Sequence, residues 1–171
     1  GFGAMPFVGL FFKAQLDNVK LIEFPPDYVW HFDVKASNSD ETREAVTIDP
    51  SDEFEIPNSK GTANFLVKFE GAKAASSISF LTPTRNKEIK ELKGRPLGVY
   101  SEDDSGNCVP VAVFECRGAE PSVWHPVNLN VTMADGTVAE HVDDLRDDTE
   151  YYGVTDGGEA VSITEFKYEL K

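Results

Sequence analysis

One segment near the start of the chain, Leu10-Phe11-Phe12-Lys13-Ala14-Gln15-Leu16-Asp17, would present different residue types on its two faces if extended. Leu10, Phe12, Ala14 and Leu16 alternate with a second set that contains Lys13, Gln15 and Asp17. Side chains of a β-strand point alternately to opposite faces of its sheet. This period of two therefore predicts a strand with one buried face.

The same alternation continues along the chain. It predicts further strands over residues 28–35, 45–48, 64–70, 77–81, 109–115, 127–133 and 161–170. Asp135-Gly136 is typical of a two-residue hairpin turn and predicts pairing of 129–133 with 137–141. Residues 87–93 and 143–150 are expected to be charged loops or single helical turns. We predict an all-β fold of short antiparallel strands with little helix, in two related sheets or barrel-like halves packed together.

The chain length of 171 residues suits one compact unit, which we expect to span residues 5–171. Residues 1–4 are expected to be the remnant of an expression tag. Phe12-Lys13-Ala14-Gln15 and Phe114-Glu115-Cys116-Arg117 echo each other, and each is followed by a proline-bounded loop. This similarity is what an internal duplication with halves at about 5–82 and 83–171 would produce, although such short similarities also arise by chance.

The formal net charge is −14, from 30 acidic and 16 basic residues. Such a surface repels phosphate backbones, so we expect no nucleic-acid partner; it suits a basic protein partner or simply solubility. No apolar run reaches the roughly 18 residues of a membrane-spanning helix, so we expect no membrane partner. Two cysteines make no disulfide framework, which favours a reducing, cytoplasmic location.

Catalytic and metal-binding signatures are weak. The chain has no G-x-S-x-G, P-loop or H-E-x-x-H pattern. The acidic pairs within 143–150 lack calcium-loop spacing and are expected to be solvated. Cys116 is expected to be a buried small apolar residue and Cys108 an exposed one, and whether they pair stays open. We expect no enzyme, with a hydrolase of unrecognised type as a remaining alternative.

Four residues are candidates for partner binding: Trp124, His125, Arg117 and Glu120. Trp124 lies between Pro121 and Pro126, so we expect a loop there. Its ring could be an exposed anchor for a partner or could cover the end of a barrel. Arg117 could pair with Glu120 or with a carboxylate of the partner. A site for a carbohydrate or another small molecule, using Trp124 and His125, is the second alternative.

One octet resembles a known family. Phe114-Glu115-Cys116-Arg117-Gly118-Ala119-Glu120-Pro121 is similar to the signature F-E-C-R-G-x-E-P of the eukaryotic CXXC-motif-containing zinc-binding proteins. Phe12–Val19 and Lys60–Lys68 resemble two further segments of that family. The match covers nearly the whole chain after Met5. The octet is fairly specific, and the other stretches support it by their order and spacing.

The resemblance implies one zinc ion held by two C-x-x-C pairs, since structural zinc takes four thiolates at tetrahedral spacing. The matching positions are Ala36 and Ser39 after Lys35, and Phe69 and Ala72 after Lys68. None of the four is a cysteine. We therefore predict a divergent member without zinc or another cofactor, whose two loops are held by apolar contacts around Phe69 or by hydrogen bonds from residues 37–39. The expected role is non-catalytic protein binding.

Overall fold

The computed structural model describes residues 6–81, 89–147 and 149–171. The expected tag remnant at 1–4 and the expected boundary near residues 82 and 83 lie outside the described residues. The strands are β1 (Phe7–Asp17), β2 (Val19–Glu23), β3 (Trp30–Ala36), β4 (Thr42–Ile48), β5 (Phe54–Glu55), β6 (Thr62–Ala63), β7 (Phe65–Val67), β8 (Ser76–Phe80), β9 (Val99–Ser101), β10 (Val109–Arg117), β11 (Ala119–Trp124), β12 (Leu129–Met133), β13 (Val138–Val142), β14 (Tyr151–Val154) and β15 (Ala160–Leu170). The helical elements are 3₁₀ turns at Lys90–Leu92, Glu102–Asp104 and Asp144–Asp147.

The strands form four sheets in which each described pair is antiparallel. Their orders are β14-β15-β1-β10-β8-β7, β11-β3-β4, β13-β12-β2-β9 and β5-β6. The predicted all-β fold of short antiparallel strands is thereby confirmed. The hairpin at Asp135-Gly136 is also confirmed, since the backbone N–H of Met133 donates to the Thr137 carbonyl at 2.7 Å. In the described part of the chain, no helix has the length and apolar character needed to cross a bilayer.

Two long strands each leave the six-stranded sheet through one residue with a positive φ angle. Asn18, with φ 59°, separates β1 from β2, and Gly118, with φ 80°, separates β10 from β11. A Cβ atom at Gly118 would lie 2.6 Å from Ser76 Oγ. Glycine is therefore required there both by the positive φ angle and by the lack of space for a side chain. The two bends match the echo between the segments around Phe12 and Phe114, while the duplication itself stays a prediction.

The centre of the fold is a cluster of aromatic rings drawn from two sheets. Phe12 and Phe114 come from the six-stranded sheet, and Trp30 and Trp124 come from the three-stranded sheet. The ring centroid of Trp30 lies 5.9 Å from that of Phe114 and 6.1 Å from that of Trp124. The edge-to-face packing of Trp30 with Phe114 adds to the stabilisation from burial alone. The cluster therefore fixes β3 and β11 against the central sheet.

Several strand boundaries differ from the predicted ones. The strand expected over 64–70 is limited to β7, and β2, β9, β11 and β14 were not predicted. These four strands are three to six residues long, too short for a clear alternation. The strand conformation of β2 and β11 depends on pairing with segments distant in the chain, β12 and β3.

An ion pair stabilises the segment between β9 and β10. Arg95 Nη1 donates to Asp104 Oδ1 at 2.9 Å, and the Asp104 carboxylate also accepts the backbone N–H of Ser101. The hydrogen bonds from Arg95 hold the pKa of Asp104 below its ordinary value. In the same segment, the Tyr100 hydroxyl lies 2.8 Å from the Asp104 carbonyl and accepts the backbone N–H of Ala14 on β1.

Replacing Asp104 with asparagine is expected to lower the free energy of unfolding by about 1–2 kcal/mol at neutral pH. Because the folded-state pKa of Asp104 is depressed, its contribution is present above the ordinary value of 3.8 and is lost as pH falls through the folded pKa. Urea titrations between pH 7 and pH 3 test this, with the exposed neighbour variant Asp103→Asn as the control. If the Asp104→Asn variant is less stable than the wild type by the same free energy at every pH in that range, the stabilising role of the ionised Asp104 carboxylate is contradicted.

Candidate functional site

The first pair of family-matched positions lies at the turn between β3 and β4. Ala36 ends β3, is 2 % exposed, and donates its backbone N–H to the Glu41 carbonyl at 2.9 Å. Its neighbour Ser37 donates its own backbone N–H to the Gly118 carbonyl at 3.0 Å. Ser39 is exposed, and its hydroxyl accepts the backbone N–H of Glu41. The turn is thus closed by backbone hydrogen bonds.

The second pair lies in the turn after β7. Phe69 is 5 % exposed and belongs to the main buried cluster, which also contains Ala36, and Ala72 packs against that cluster. The backbone N–H of Ala72 donates to the Phe69 carbonyl at 3.1 Å. The apolar positions of both turns are therefore part of the hydrophobic core.

Arg43 of β4 connects the two turns. Its guanidinium carbon lies 5.8 Å from the centroid of the Phe69 ring, and Nη2 donates to the Lys68 carbonyl at 3.5 Å. Arg43 pairs with Val34 in the β3–β4 ladder. A guanidinium over an aromatic face contributes about 0.5–1 kcal/mol at an exposed site. We call these two turns, with Arg43, the Phe69 corner.

A cleft of about 400 Å³ lies at the end of β11, beside β15. Its lining includes Trp124, His125, Phe166 and Tyr168. His125 Nε2 is 2.9 Å from Asp33 Oδ1, and this hydrogen bond lowers the pKa of the Asp33 carboxyl. Asp33 was not predicted as a site residue. It comes beside His125 through the register of β3 with β11, which the sequence pattern does not give.

The expected loop around Trp124 is wrong, because Trp124 is the last residue of β11. Its side chain is 2 % exposed and packs against Phe12, Phe166 and Tyr168. The ring is therefore a core element and offers no exposed anchor. Within the described residues its Nε1 atom has no hydrogen-bond partner. The Trp124 indole, including its N–H group, is packed edge-to-face against neighbouring aromatic rings.

The side chains of Arg117 and Glu120 are both exposed. Arg117 Nη2 donates to Glu115 Oε1 at 2.9 Å, so the carboxylate it contacts is that of Glu115, in place of the expected Glu120. Residues 115 and 117 lie on the same side of β10, which explains the pairing. The structure brings His125 beside Trp124, and it leaves Arg117 at the end of β10 and Glu120 at the start of β11.

Both thiols are free, and their environments differ as expected. Burial, followed by the nearby Glu120 and Glu115 carboxylates, raises the pKa of the Cys116 thiol to about 12. A thiol with such a pKa is unreactive at neutral pH. Cys108 is exposed, and its pKa is also raised, first by partial desolvation.

A larger, mainly apolar cavity of about 580 Å³ lies between the β2–β3 connection and β10. Phe24, Pro25, Trp30 and Phe80 contribute to its wall. Its size falls in the range of small-molecule sites. Asn64, the amide in its lining, already donates to the carbonyls of Pro50 and Asp52 and accepts from Phe80 N–H.

The family model described as CXXC motif containing zinc binding protein, eukaryotic, matches residues 9–171. The chain belongs to this family. It is 33 % identical over 164 residues to UPF0587 protein CG4646 of Drosophila melanogaster, covering 93 % of both chains. It is 26 % identical over 151 residues to UPF0587 protein YCR090C of Saccharomyces cerevisiae, covering 81 % of both.

Two solved structures share the fold of this CXXC-family chain. A hypothetical protein from Plasmodium falciparum superposes with a TM-score of 0.82 at 30 % identity, over 98 % of this chain and 100 % of the other. C1orf123 superposes with a TM-score of 0.78 at 22 % identity, over 96 % of this chain and 98 % of the other. These superpositions show that the fold is shared over nearly the whole length of the chain.

The four positions that the family resemblance assigns to zinc do not fit the ion. Ala36, Phe69 and Ala72 carry no donor atom, and the Ser39 hydroxyl is neutral and solvated. Closed zinc sites require deprotonated or imidazole ligands arranged tetrahedrally. Among the described residues, no group of three or more His, Cys, Asp and Glu side chains is placed to hold a metal. This CXXC-family chain therefore presents an apolar corner at the expected metal position.

Truncating Phe69 to alanine is expected to lower the free energy of unfolding by about 3–5 kcal/mol, the usual cost of emptying a buried aromatic site. Phe54, which is 44 % exposed, supplies the control, and Phe54→Ala should cost about 1 kcal/mol or less. Chemical denaturation of both variants measures the difference. Equal losses would show that the Phe69 corner does not depend on its aromatic ring.

Proposed function

We propose that this chain is a non-catalytic, metal-independent member of its family that acts by binding another protein in the cytoplasm. The observation that carries the proposal is the Phe69 corner. The positions matched to zinc ligands hold side chains that pack into the core, with Arg43 over the Phe69 ring. A fold whose corner is held by side-chain packing has no need of a metal at that place.

The surface charge supports a protein partner of opposite sign. The net charge of −14 attracts basic surfaces and speeds their association, while it repels nucleic acid. The titratable groups supply little for catalysis: the Cys116 thiol is buried with a raised pKa, and the Asp33 carboxylate is occupied by His125. A protein-binding function depends on the surface, and the Cys116 thiol and the Asp33 carboxylate then serve the structure only.

Removal of metal is expected to leave the stability of the protein unchanged. Thermal unfolding with and without a strong chelator should give melting temperatures equal to within about 1 °C, because a lost structural zinc site would cost many times that shift. Elemental analysis of protein purified without chelator should find far less than one zinc per chain. Stoichiometric zinc, with a chelator-dependent melting temperature, would overturn the metal-independent reading.

The protein-binding part of the proposal is tested with a purified partner. Cross-linking in a cytosolic extract identifies candidates, and isothermal titration with each purified candidate measures whether a defined complex forms. Arg117→Ala/Glu120→Ala and His125→Ala are informative variants, because these side chains are exposed or half-buried. Trp124→Ala is unsuitable, since it empties the core. Absence of any stoichiometric complex would overturn the binding role.

The second candidate function is binding of a small molecule, which the 580 Å³ apolar cavity favours. A compound that occupied it would raise the melting temperature in proportion to the logarithm of its concentration. Val99→Trp, at the cavity wall, should abolish that stabilisation, whereas Tyr168→Ala, at the smaller cleft, should not. A compound with this behaviour would favour the ligand-binding function over the protein-binding one.

A further inference from the structure

The strand β14 forms one end of the six-stranded sheet, and β13 forms one end of the four-stranded sheet. The turns beside these strands meet, because the backbone N–H of Asp156 donates to Thr137 Oγ1 at 3.1 Å. An end strand leaves one row of backbone N–H and C=O groups without a sheet partner. Proteins usually protect such a strand with lysine, proline or a bulge, yet the sequence of β14 is Tyr-Tyr-Gly-Val.

The most exposed large apolar side chains of the described residues lie on these two strands. Tyr152 is 68 % exposed and Val154 is 59 % exposed, both on the outer face of β14. Val138 at the start of β13 is 54 % exposed. Two further exposed apolar residues, Phe54 and Val123, lie on other strands and are less exposed. We call Tyr152 and Val154, with the outer backbone of β14, the β14 edge.

Carboxylates flank β14 at both ends. Glu150 and Asp156 are exposed next to it in the chain, and Glu159, also exposed, lies opposite Thr155 in the turn. The Tyr152 hydroxyl donates to Glu150 Oε1 at 2.7 Å, which places a negative charge directly beside the exposed ring. An apolar strip with carboxylates at its two ends is complementary to a segment with an apolar centre and basic ends.

The β14 edge is held rigid at its distal turn. Thr155 is 4 % exposed; its backbone N–H donates to the Glu159 carbonyl at 2.8 Å, and its hydroxyl accepts the Glu159 N–H at 3.0 Å. Gly158 takes the positive φ of 86° that closes the turn. A preformed edge loses little conformational entropy when a partner binds.

We propose that β14 accepts an extended basic segment of a partner protein as an added antiparallel strand. The proposal rests on the protein-binding function above and names the surface and the partner chemistry. Main-chain hydrogen bonds to the side of β14 that has no strand partner among the described residues supply affinity, and alternate side chains supply specificity. Apolar side chains at the centre of the segment cover Tyr152 and Val154, while lysines or arginines at its two ends face Glu150 and Asp156, which flank β14 on the same face.

The acidic surroundings of β14 favour a basic segment over a second copy of this chain as the added strand. Antiparallel pairing of two β14 strands would bring Glu150 and Asp156 of one copy close to the same carboxylates of the other. Like charges opposite each other across a strand pair are destabilising. A basic segment removes this repulsion, and for that reason we assign the edge to a partner of opposite charge.

The test uses defined peptides and two matched double variants. The probe, called Val–Lys, is a fluorescent peptide of about ten residues with alternating valine and threonine at its centre and two lysines at each end. Its controls carry glutamates at the ends (Val–Glu) or serines in place of the valines (Ser–Lys). The edge variant is Tyr152→Lys/Val154→Lys. The control variant, Phe54→Lys/Val123→Lys, adds the same charge at exposed apolar positions elsewhere. Fluorescence anisotropy at physiological salt gives the affinities, and hydrogen exchange locates the bound peptide.

We expect the Val–Lys peptide to bind best, and the edge variant to weaken it at least about tenfold more than the control variant does. The amides of β14 should gain protection from exchange. Equal binding of the Ser–Lys peptide, equal weakening by both variants, or protection confined to other strands would overturn the proposal. A dimer of the wild-type protein that the edge variant dissociates would also overturn it, by assigning the edge to a second copy.

The same variants distinguish this proposal from the protein-binding function itself. A purified protein partner that binds the wild type and the edge variant equally would leave the function standing and would overturn the β14 edge as its site. If no protein partner forms a complex with the wild type, both proposals fail together.

Discussion

The ring centroid of Trp30 lies 5.9 Å from that of Phe114, and the ring centroid of Trp124 lies 6.2 Å from that of Phe12. These two contacts hold the three-stranded sheet against the central one. Trp30 is the first residue of β3 and Ala36 is the last, so the packing of Trp30 positions the strand that ends at Ala36. Gly118 then allows β11 to turn and pair with β3, with Ala119 opposite Ala36. The position of the Phe69 corner therefore follows from an aromatic core that lies deeper in the molecule.

This arrangement explains how a member of a zinc-binding family can lack the thiolates. The turn at Ala36 is closed by backbone hydrogen bonds to Glu41 and Gly118, and the Phe69 ring is inserted into the core. A structural zinc ion contributes folding energy by tying segments that would otherwise separate. Here the segments are tied by burial of apolar surface, at about 25 cal/mol for each Å² removed from water.

The sequence predicts the long strands well, because alternation over seven or more residues is a strong signal, as in the segments around Leu10 and Phe32. The prediction fails at Trp124, where Pro121 suggests a loop. Proline is tolerated at this place because β11 is an end strand of its sheet. The contact between His125 and Asp33, which are far apart in the chain, depends on strand register and leaves no local signal. The missing thiolates were evident from the resemblance alone, while the role of Arg43 required the fold.

The central claim is that packing at the Phe69 corner takes the place of the metal. Its most direct test is site-resolved hydrogen exchange on protein unfolded and then refolded in a strong chelator, compared with protein refolded in zinc. The informative amides are those of Ala36, bonded to the Glu41 carbonyl, and Ala72, bonded to the Phe69 carbonyl. We predict equal protection of both amides in the two samples. Protection that returns only in the presence of zinc would contradict the account.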